Sequence, residues 1–218
     1  MRVGSSSSSP RVRPKSSTCR SSCHPALASS GLHSNGYSLV RRVVASAGWQ
    51  LDRHVDDFGR TLGEELLEPT RIYTRPLLEL IAAEGVDVHA LSHVTGGGLA
   101  ANLARVLPTG TFARVDRSTW TPPAVFRTVQ DLGRVPQADI ERTLNQGIGF
   151  VAVLPEAQAE RAIELSEARG IRAWRLGEVA TEERAHADGL VAGDVEIVRG
   201  AKGVDGGAVQ VVGTHPTA

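Results

Sequence analysis

Two hydrophobic spacings take turns along this chain. Residues 37–47, YSLVRRVVASA, put Leu39, Val40, Val43, Val44 and Ala47 on one side at helical spacing, and Gly48 follows where such a helix would stop. A second helix is expected to begin near Arg71 or Pro76, to bury Leu77, Leu80, Ile81 and Ala83, and to end near Gly85. LAANLARVL (99–107) reads as a third, closed by Pro108. Thr121-Pro122-Pro123 starts a fourth, with a capping hydroxyl and proline in the first turn; Val125, Phe126, Val129 and Leu132 form its core face and Gly133 ends it. PEAQAERAIELSEARG (155–170) is an amphipathic fifth with Gly170 as its stop. Between them the period changes. VDVHALSHVTGGG (86–98) reads as a short strand running into glycines, FARVD (112–116) alternates, and GIGFVAVLP (147–155) is a buried strand. IRAWRLGEVA (171–180), GDVEIVRG (193–200) and AVQVVG (208–213) complete the strands. Interleaved elements of both kinds predict an α/β fold of the α+β type, a mixed sheet with helices packed on it.

The pattern fails at the N-terminus. Residues 1–27 hold nine serines, five of them consecutive, and three prolines, with almost no apolar periodicity. Such a segment cannot offset its ordering entropy by burial, so it is expected to be a disordered tail, with the folded domain running over 28–218. Its Ser- and Arg-rich, acid-free composition resembles a transit peptide, yet it carries no amphipathic stripe and runs straight into a polar loop. We read it as sequence foreign to the fold, from a misplaced start or a shifted frame.

Charge refines this picture. The 218 residues have a formal net charge of zero, but residues 1–30 carry Arg2, Arg11, Arg13, Lys15 and Arg20 and no acid. The remainder is therefore net acidic and has no electrostatic footprint for nucleic acid. No apolar run approaches the roughly 18–20 residues that span a bilayer, so a cytoplasmic protein without membrane contact is expected. The two cysteines, Cys19 and Cys23, lie in the tail beside His24, a weak metal signal, and no metal ligands are assigned.

Two glycine-rich loops precede helices: SSGLHSNG (29–36) and HVTGGG (93–98). A helix N-terminus presents unpaired N–H groups and partial positive charge, glycine lets the backbone approach an anion, and hydroxyls and amides add donors. Phosphate is the commonest such anion. Neither loop matches GxxxxGK[ST] or GxGxxG, so the generic nucleotide motifs do not identify it. His33, Ser34 and Asn35 together exceed what a turn requires, whereas His93 reads equally as a substrate donor or a core histidine. His54, His89 and His186 have no partner pattern. Glu64, Glu65, Thr70 and Arg71 read first as a solvated helix flank and cap.

At these residues a resemblance emerges. ASSGLHSNGYSLVRR, LLEPTRIYTRPLLELI, VHALSHVTGGGLAANLARVLP, RTLNQGIGFVAVLP and VVGTHP occur in this order. Together they resemble the C-terminal half of aminoimidazole ribonucleotide synthetase, also called phosphoribosylformylglycinamidine cyclo-ligase, from about Ala28 to Pro216. That family is a purine-biosynthetic ligase. A phosphoryl group passes from ATP to the amide oxygen of formylglycinamidine ribonucleotide, an internal nitrogen attacks that carbon, phosphate leaves and the imidazole ring closes. The resemblance implies that Ser30, Gly31, Ser34 and Asn35 of the first loop and His93, Thr95, Gly96, Gly97, Gly98 and Asn102 of the second face substrate or phosphate. Thr70 and Arg71 join them, with His33 as the catalytic candidate. It also implies ATP and Mg2+ as cofactors, with their main ligands in an N-terminal domain that this sequence lacks, and a homodimer in the intact family. The expected chain is a partial enzyme; the alternative is a non-catalytic half that binds substrate phosphate or a separate N-terminal half.

Overall fold

The computed structural model describes residues 22–200 and 206–217. In chain order its strands are β1 (Ser22–Ala28), β2 (His54–Val55), β3 (Arg60–Thr61), β4 (Ala90–His93), β5 (Thr111–Asp116), β6 (Ile148–Pro155), β7 (Ala173–Thr181), β8 (Ile197–Arg199) and β9 (Ala208–Val212). Its helices are α1 (Tyr37–Ser46), α2 (Leu62–Leu66), α3 (Thr74–Ala82), α4 (Gly98–Val106), α5 (Ala124–Gly133), α6 (Gln137–Thr143), α7 (Ala159–Glu167) and α8 (Glu182–Ala187). Seven strands form one sheet in the order β4-β6-β1-β7-β5-β9-β8, and β2 and β3 form a separate hairpin. Within the large sheet every neighbouring pair is antiparallel except β5 with β9. The mixed sheet with packed helices is the architecture that the alternating spacings predict.

The start of the fold differs from the expected boundary at residue 28. Strand β1 covers Ser22–Ala28 and pairs with β6 on one edge and β7 on the other, so six residues assigned to a tail lie at the sheet's centre. Residues 1–21, with Cys19 among them, lie outside the described residues. The reason for the difference is physical. Pro25 cannot donate to a ladder and argues against a central strand, but the register with β7 shifts between Cys23 and Pro25 and absorbs it. Only Ala26 and Leu27 read as core, and successive strand residues point to opposite faces.

Those two residues divide the core. Ala26 joins Leu99, Leu103 and Ala104 of α4 with Val115, Val151, Leu176 and Val209 on one face. Leu27 joins Leu77 and Leu80 of α3 and Ala159 and Ala162 of α7 on the other. A third cluster, built by Val40, Val43, Leu62, Phe126, Val129, Ile140 and Leu144, ties α1, α2, α5 and α6 together. Each such side chain contributes about 1.5–3 kcal/mol when fully buried.

Short elements escaped the periodicity. The helix α2 rests on a capping box in which Thr61 accepts from the Glu64 N–H and the Glu64 carboxylate accepts from the Thr61 N–H. Helix α8 is capped by Thr181 in the same position.

Candidate active site

The first loop is held by a buried carboxamide. Asn145 is fully buried; its Nδ2 donates to the Gly31 and Leu32 carbonyls at 3.0 and 3.3 Å, and its Oδ1 accepts from the Gly147 N–H at 2.8 Å. The Ser29 hydroxyl donates to the Gly31 carbonyl at 2.8 Å. This clasp holds the loop closed enough that His33 takes a left-handed conformation (φ 55°), rare for a residue with a Cβ.

His33 is 4% exposed. Its Nε2 accepts the Ser30 N–H at 3.2 Å, which places the proton of the neutral ring on Nδ1, and Nδ1 has no partner among the described residues. Burial, helped by the nearby positive charges that His93 and Arg71 can carry, pulls its pKa down to about 4. The imidazole is therefore neutral at pH 7 and offers a donor. Tyr73 lies beside it: its hydroxyl is 3.5 Å from His33 Nε2 and donates to the Ala28 carbonyl at 2.8 Å. Gly149 makes room, because a Cβ there would overlap the Tyr73 hydroxyl. Tyr73 then packs on Phe150 at 4.9 Å, and Phe150 stacks flat on His93 at 4.5 Å. A row of four rings thus joins the histidines of the two loops.

The second loop is shaped mainly by backbone. Gly97 (φ 103°) and Gly98 (φ 72°) are left-handed, and a Cβ on Gly98 would overlap the Glu141 carbonyl of α6. Asn102 supports the loop from inside α4: Nδ2 donates to the Thr95 and Gly98 carbonyls at 3.1 and 2.7 Å, and Oδ1 accepts from the Thr95 hydroxyl at 3.2 Å. Both of its polar atoms are thereby committed to the loop.

The three sequence blocks meet. Asn35 Oδ1 accepts the Gly96 N–H at 3.2 Å, which ties the loops to each other. Ser34 Oγ lies 3.2 Å from Thr70 Oγ1. Ser30 Oγ donates to the Pro69 carbonyl at 2.7 Å and accepts the Arg71 N–H at 3.1 Å. The Arg71 guanidinium donates to the Gly170 carbonyl at 3.0 Å. Helices α1 and α4 both begin at left-handed glycine caps, Gly36 and Gly97, and neither has a side-chain cap. In the first turns Leu39 and Gly98 donate to the Gly36 and Thr95 carbonyls at 3.0 and 3.1 Å, and the first-turn N–H groups without such a bond are open to another partner.

Sequence reasoning did not single out Tyr73, Asn145 or Phe150. All three sit in the matching blocks, but their partners lie at the far ends of other elements. No group of three or more His, Cys, Asp or Glu side chains that could hold a metal occurs among the described residues. A magnesium cage does not fit these described side chains.

The comparisons with known proteins give this geometry its class. Residues 26–188 match the family model described as AIR synthase related protein, C-terminal domain, and the chain belongs to that family. A Streptomyces fradiae protein provisionally named phosphoribosylformylglycinamidine cyclo-ligase is 53% identical over 168 residues, which cover 76% of this chain and 91% of that protein. Proteins of that name from Sorangium cellulosum and Carboxydothermus hydrogenoformans are 51% and 43% identical over 71% and 72% of this chain. The matches cover only 45% and 46% of those two, so the chain spans about half their length. The crystal structure of thiamine-monophosphate kinase from Stenotrophomonas maltophilia shares the fold, with a TM-score of 0.53 at 19% identity, over 89% of this chain and 51% of that one.

Proposed function

We propose that this chain is the substrate-phosphate-binding half of a phosphoribosylformylglycinamidine cyclo-ligase, acting in de novo purine synthesis. One observation carries the reading. Two uncapped helix N-termini are tied together by the Asn35–Gly96 hydrogen bond, next to a buried neutral histidine whose Nδ1–H has no partner among the described residues. An anion seated there would satisfy all three donor sets at once. The ribose phosphate of formylglycinamidine ribonucleotide is the group we assign to it, on the support of the relatives' shared name.

In this reading Gly31, Ser34, Asn35, Gly96, Gly97 and Gly98 form the phosphate cradle, Thr70 and Arg71 flank it, Ser30, Thr95 and Asn102 position it, and His93 forms one wall. His33, with Nε2 already accepting from Ser30, suits a hydrogen-bond donor to substrate better than a general base. ATP and Mg2+ would be held by a separate N-terminal half, and the working enzyme would be a cytoplasmic homodimer. Ring closure then depends on substrate held at fixed geometry by this half.

The test is ADP release from ATP, magnesium and formylglycinamidine ribonucleotide, with the purified chain alone and with a separately expressed N-terminal half. Turnover that appears only with both halves is the expected result. Turnover by the chain alone would overturn the division of labour. No turnover together with no binding of the ribonucleotide would overturn the cradle.

A further inference from the structure

The terminal block VVGTHP (211–216) contributes no residue to the phosphate cradle, yet it is fastened firmly to the turn that follows β5. His215 Nδ1 lies 3.1 Å from the Arg117 carbonyl and 3.2 Å from the Trp120 carbonyl, so it carries the ring proton and donates to them. The ring meets Trp120 edge-on at 4.5 Å. Gly213 approaches the same turn so closely that a Cβ on it would stand 2.8 Å from Asp116 Oδ1. Asp116 Oδ1 accepts the Ser118 N–H at 2.9 Å and closes the turn.

Arg117 sits at the centre of this knot. Its Nη1 donates to the Val211 and Gly213 carbonyls at 2.7 and 3.3 Å. Its Nε and Nη2 donate to the two carboxylate oxygens of Glu141 in α6 at 2.6 and 2.8 Å. The paired side chains are only 18% and 19% exposed. Gln137, one turn earlier in α6, donates to Glu141 Oε1 at 2.7 Å. Burial alone would raise the Glu141 carboxyl, but the hydrogen bonds from Arg117 and Gln137 outweigh it and hold its pKa below the usual carboxylate range. The carboxylate is therefore ionised at neutral pH, and the fork grips it at two points.

Glu141 has a second contact. Its backbone carbonyl lies 1.7 Å from where a Cβ on Gly98 would stand, so the second loop rests on this residue. One residue thus meets Arg117 through its carboxylate and the loop through its carbonyl. Desolvation offsets much of the attraction in a largely buried ion pair, so such a pair adds little net stability. A two-point fork does fix direction as well as distance.

We infer that Arg117 is a positioning residue for the second loop: acting through Glu141, it sets α6 against Gly98 and keeps the loop in the form that meets phosphate. The step from loop to phosphate rests on the function proposed above, whereas the step from Arg117 to the loop does not.

Amide hydrogen exchange of the purified chain, followed by magnetisation-transfer NMR well below melting, reads the loop directly. In the parent the Gly96 N–H donates to Asn35 Oδ1 and the Gly98 N–H to the Thr95 carbonyl. Arg117→Met is expected to speed exchange of both about tenfold and to leave the Val151 and Val153 amides of β6 unchanged. Arg117→Lys keeps the charge without the fork and is expected to fall between. Arg117→Met combined with Glu141→Gln is expected to exchange no faster than Arg117→Met alone, because both changes cut one link. Leu154→Ala weakens the core on the other face of the sheet; it is expected to lower the melting temperature and leave the loop amides alone. Should Arg117→Met not fold, Glu141→Gln carries the same comparison. In calorimetry, formylglycinamidine ribonucleotide is expected to bind Arg117→Met about tenfold more weakly than the parent, and Leu154→Ala as the parent does.

The inference is overturned if Arg117→Met leaves Gly96 and Gly98 exchanging at the parent rate, or if Leu154→Ala speeds them equally. Fully additive effects of the two substitutions would overturn the route through Glu141. Unchanged affinity in a variant with a fast-exchanging loop would overturn the step to phosphate. A parent chain that does not bind the ribonucleotide would count against the cradle, and the exchange rates would still decide the role of Arg117.

Discussion

The two loops reach similar positions by different means. The first is shaped by side chains: Asn145, Ser29 and Ser30 draw its backbone into a tight path, and His33 bears a left-handed conformation as a consequence. The second is shaped by missing side chains, with Gly98 pressed against Glu141 so closely that no Cβ fits. Side-chain clasps tolerate partial loss, because water or a neighbour can replace one hydrogen bond. A backbone contact without room for a carbon cannot relax without moving a helix. The second loop should therefore be the more brittle.

The sharpest way to break that comparison is within the second loop itself. Gly98→Ala combines a clash with the Glu141 carbonyl and a positive φ, and should cost about 3–4 kcal/mol by urea unfolding. Gly96→Ala meets nothing within 4 Å and should stay within about 0.5 kcal/mol. Equal losses at the two positions would mean that the close approach to α6 does not shape the loop.

In the first loop Asn145→Ala removes the clasp and leaves the Gly31 and Leu32 carbonyls and the Gly147 N–H buried without it. We expect about 3 kcal/mol of lost stability. Asn102→Ala, its counterpart in the second loop, should lose about 2 kcal/mol, since glycine caps still set the backbone there. A larger loss at Asn102 would reverse the contrast between a side-chain loop and a backbone loop.

This division also explains what could be read in advance. Helices α1, α4, α5 and α7 carry long apolar faces, and both loops carry glycine and hydroxyl clusters, so each is legible from neighbours in sequence. Strand β1 is not, because two core residues between a proline and small polar residues give no periodicity to detect. Asn145 is 114 residues from Gly31, and Tyr73 is 45 from Ala28, so their roles exist only once the sheet has brought them together. The buried Gln146 Nε2, without a hydrogen-bond partner among the described residues, is invisible in sequence for the same reason: absence of a partner is a property of packing.

Acid should expose the two buried histidines. His24 in β1 is fully buried with neither ring nitrogen hydrogen-bonded among the described residues, and burial pulls its pKa down to about 3; His33 falls to about 4. Both folded-state values lie below the unfolded one, so the unfolded chain binds more protons once pH drops below about 6.5. Stability is present above that pH and should be lost as pH falls, at up to about 1.4 kcal/mol per pH unit for each histidine. The His33 share should level off near pH 4 and the His24 share near pH 3. His24→Leu should flatten the profile and add about 1–3 kcal/mol at pH 7 by removing unpaired nitrogens from the core. An unchanged profile in that variant would show that β1 does not hold its histidine neutral.

The smallest structural effect gives the finest test of the cradle. Ser34 is exposed, and among the described residues its hydroxyl meets only Thr70 Oγ1, at 3.2 Å, so Ser34→Ala should change stability by less than about 0.5 kcal/mol. If Ser34 served only as a turn residue, its loss would be silent in binding as well. If the hydroxyl faces a phosphate, binding of formylglycinamidine ribonucleotide measured by calorimetry should weaken about tenfold with no change in melting temperature. Ser30→Ala should do the opposite, because its hydroxyl is committed to Pro69 and Arg71: the fold should loosen first, and ligand affinity should follow only as the loop moves. Two serines four residues apart in one loop would then separate contact from positioning, which neither composition nor resemblance can do.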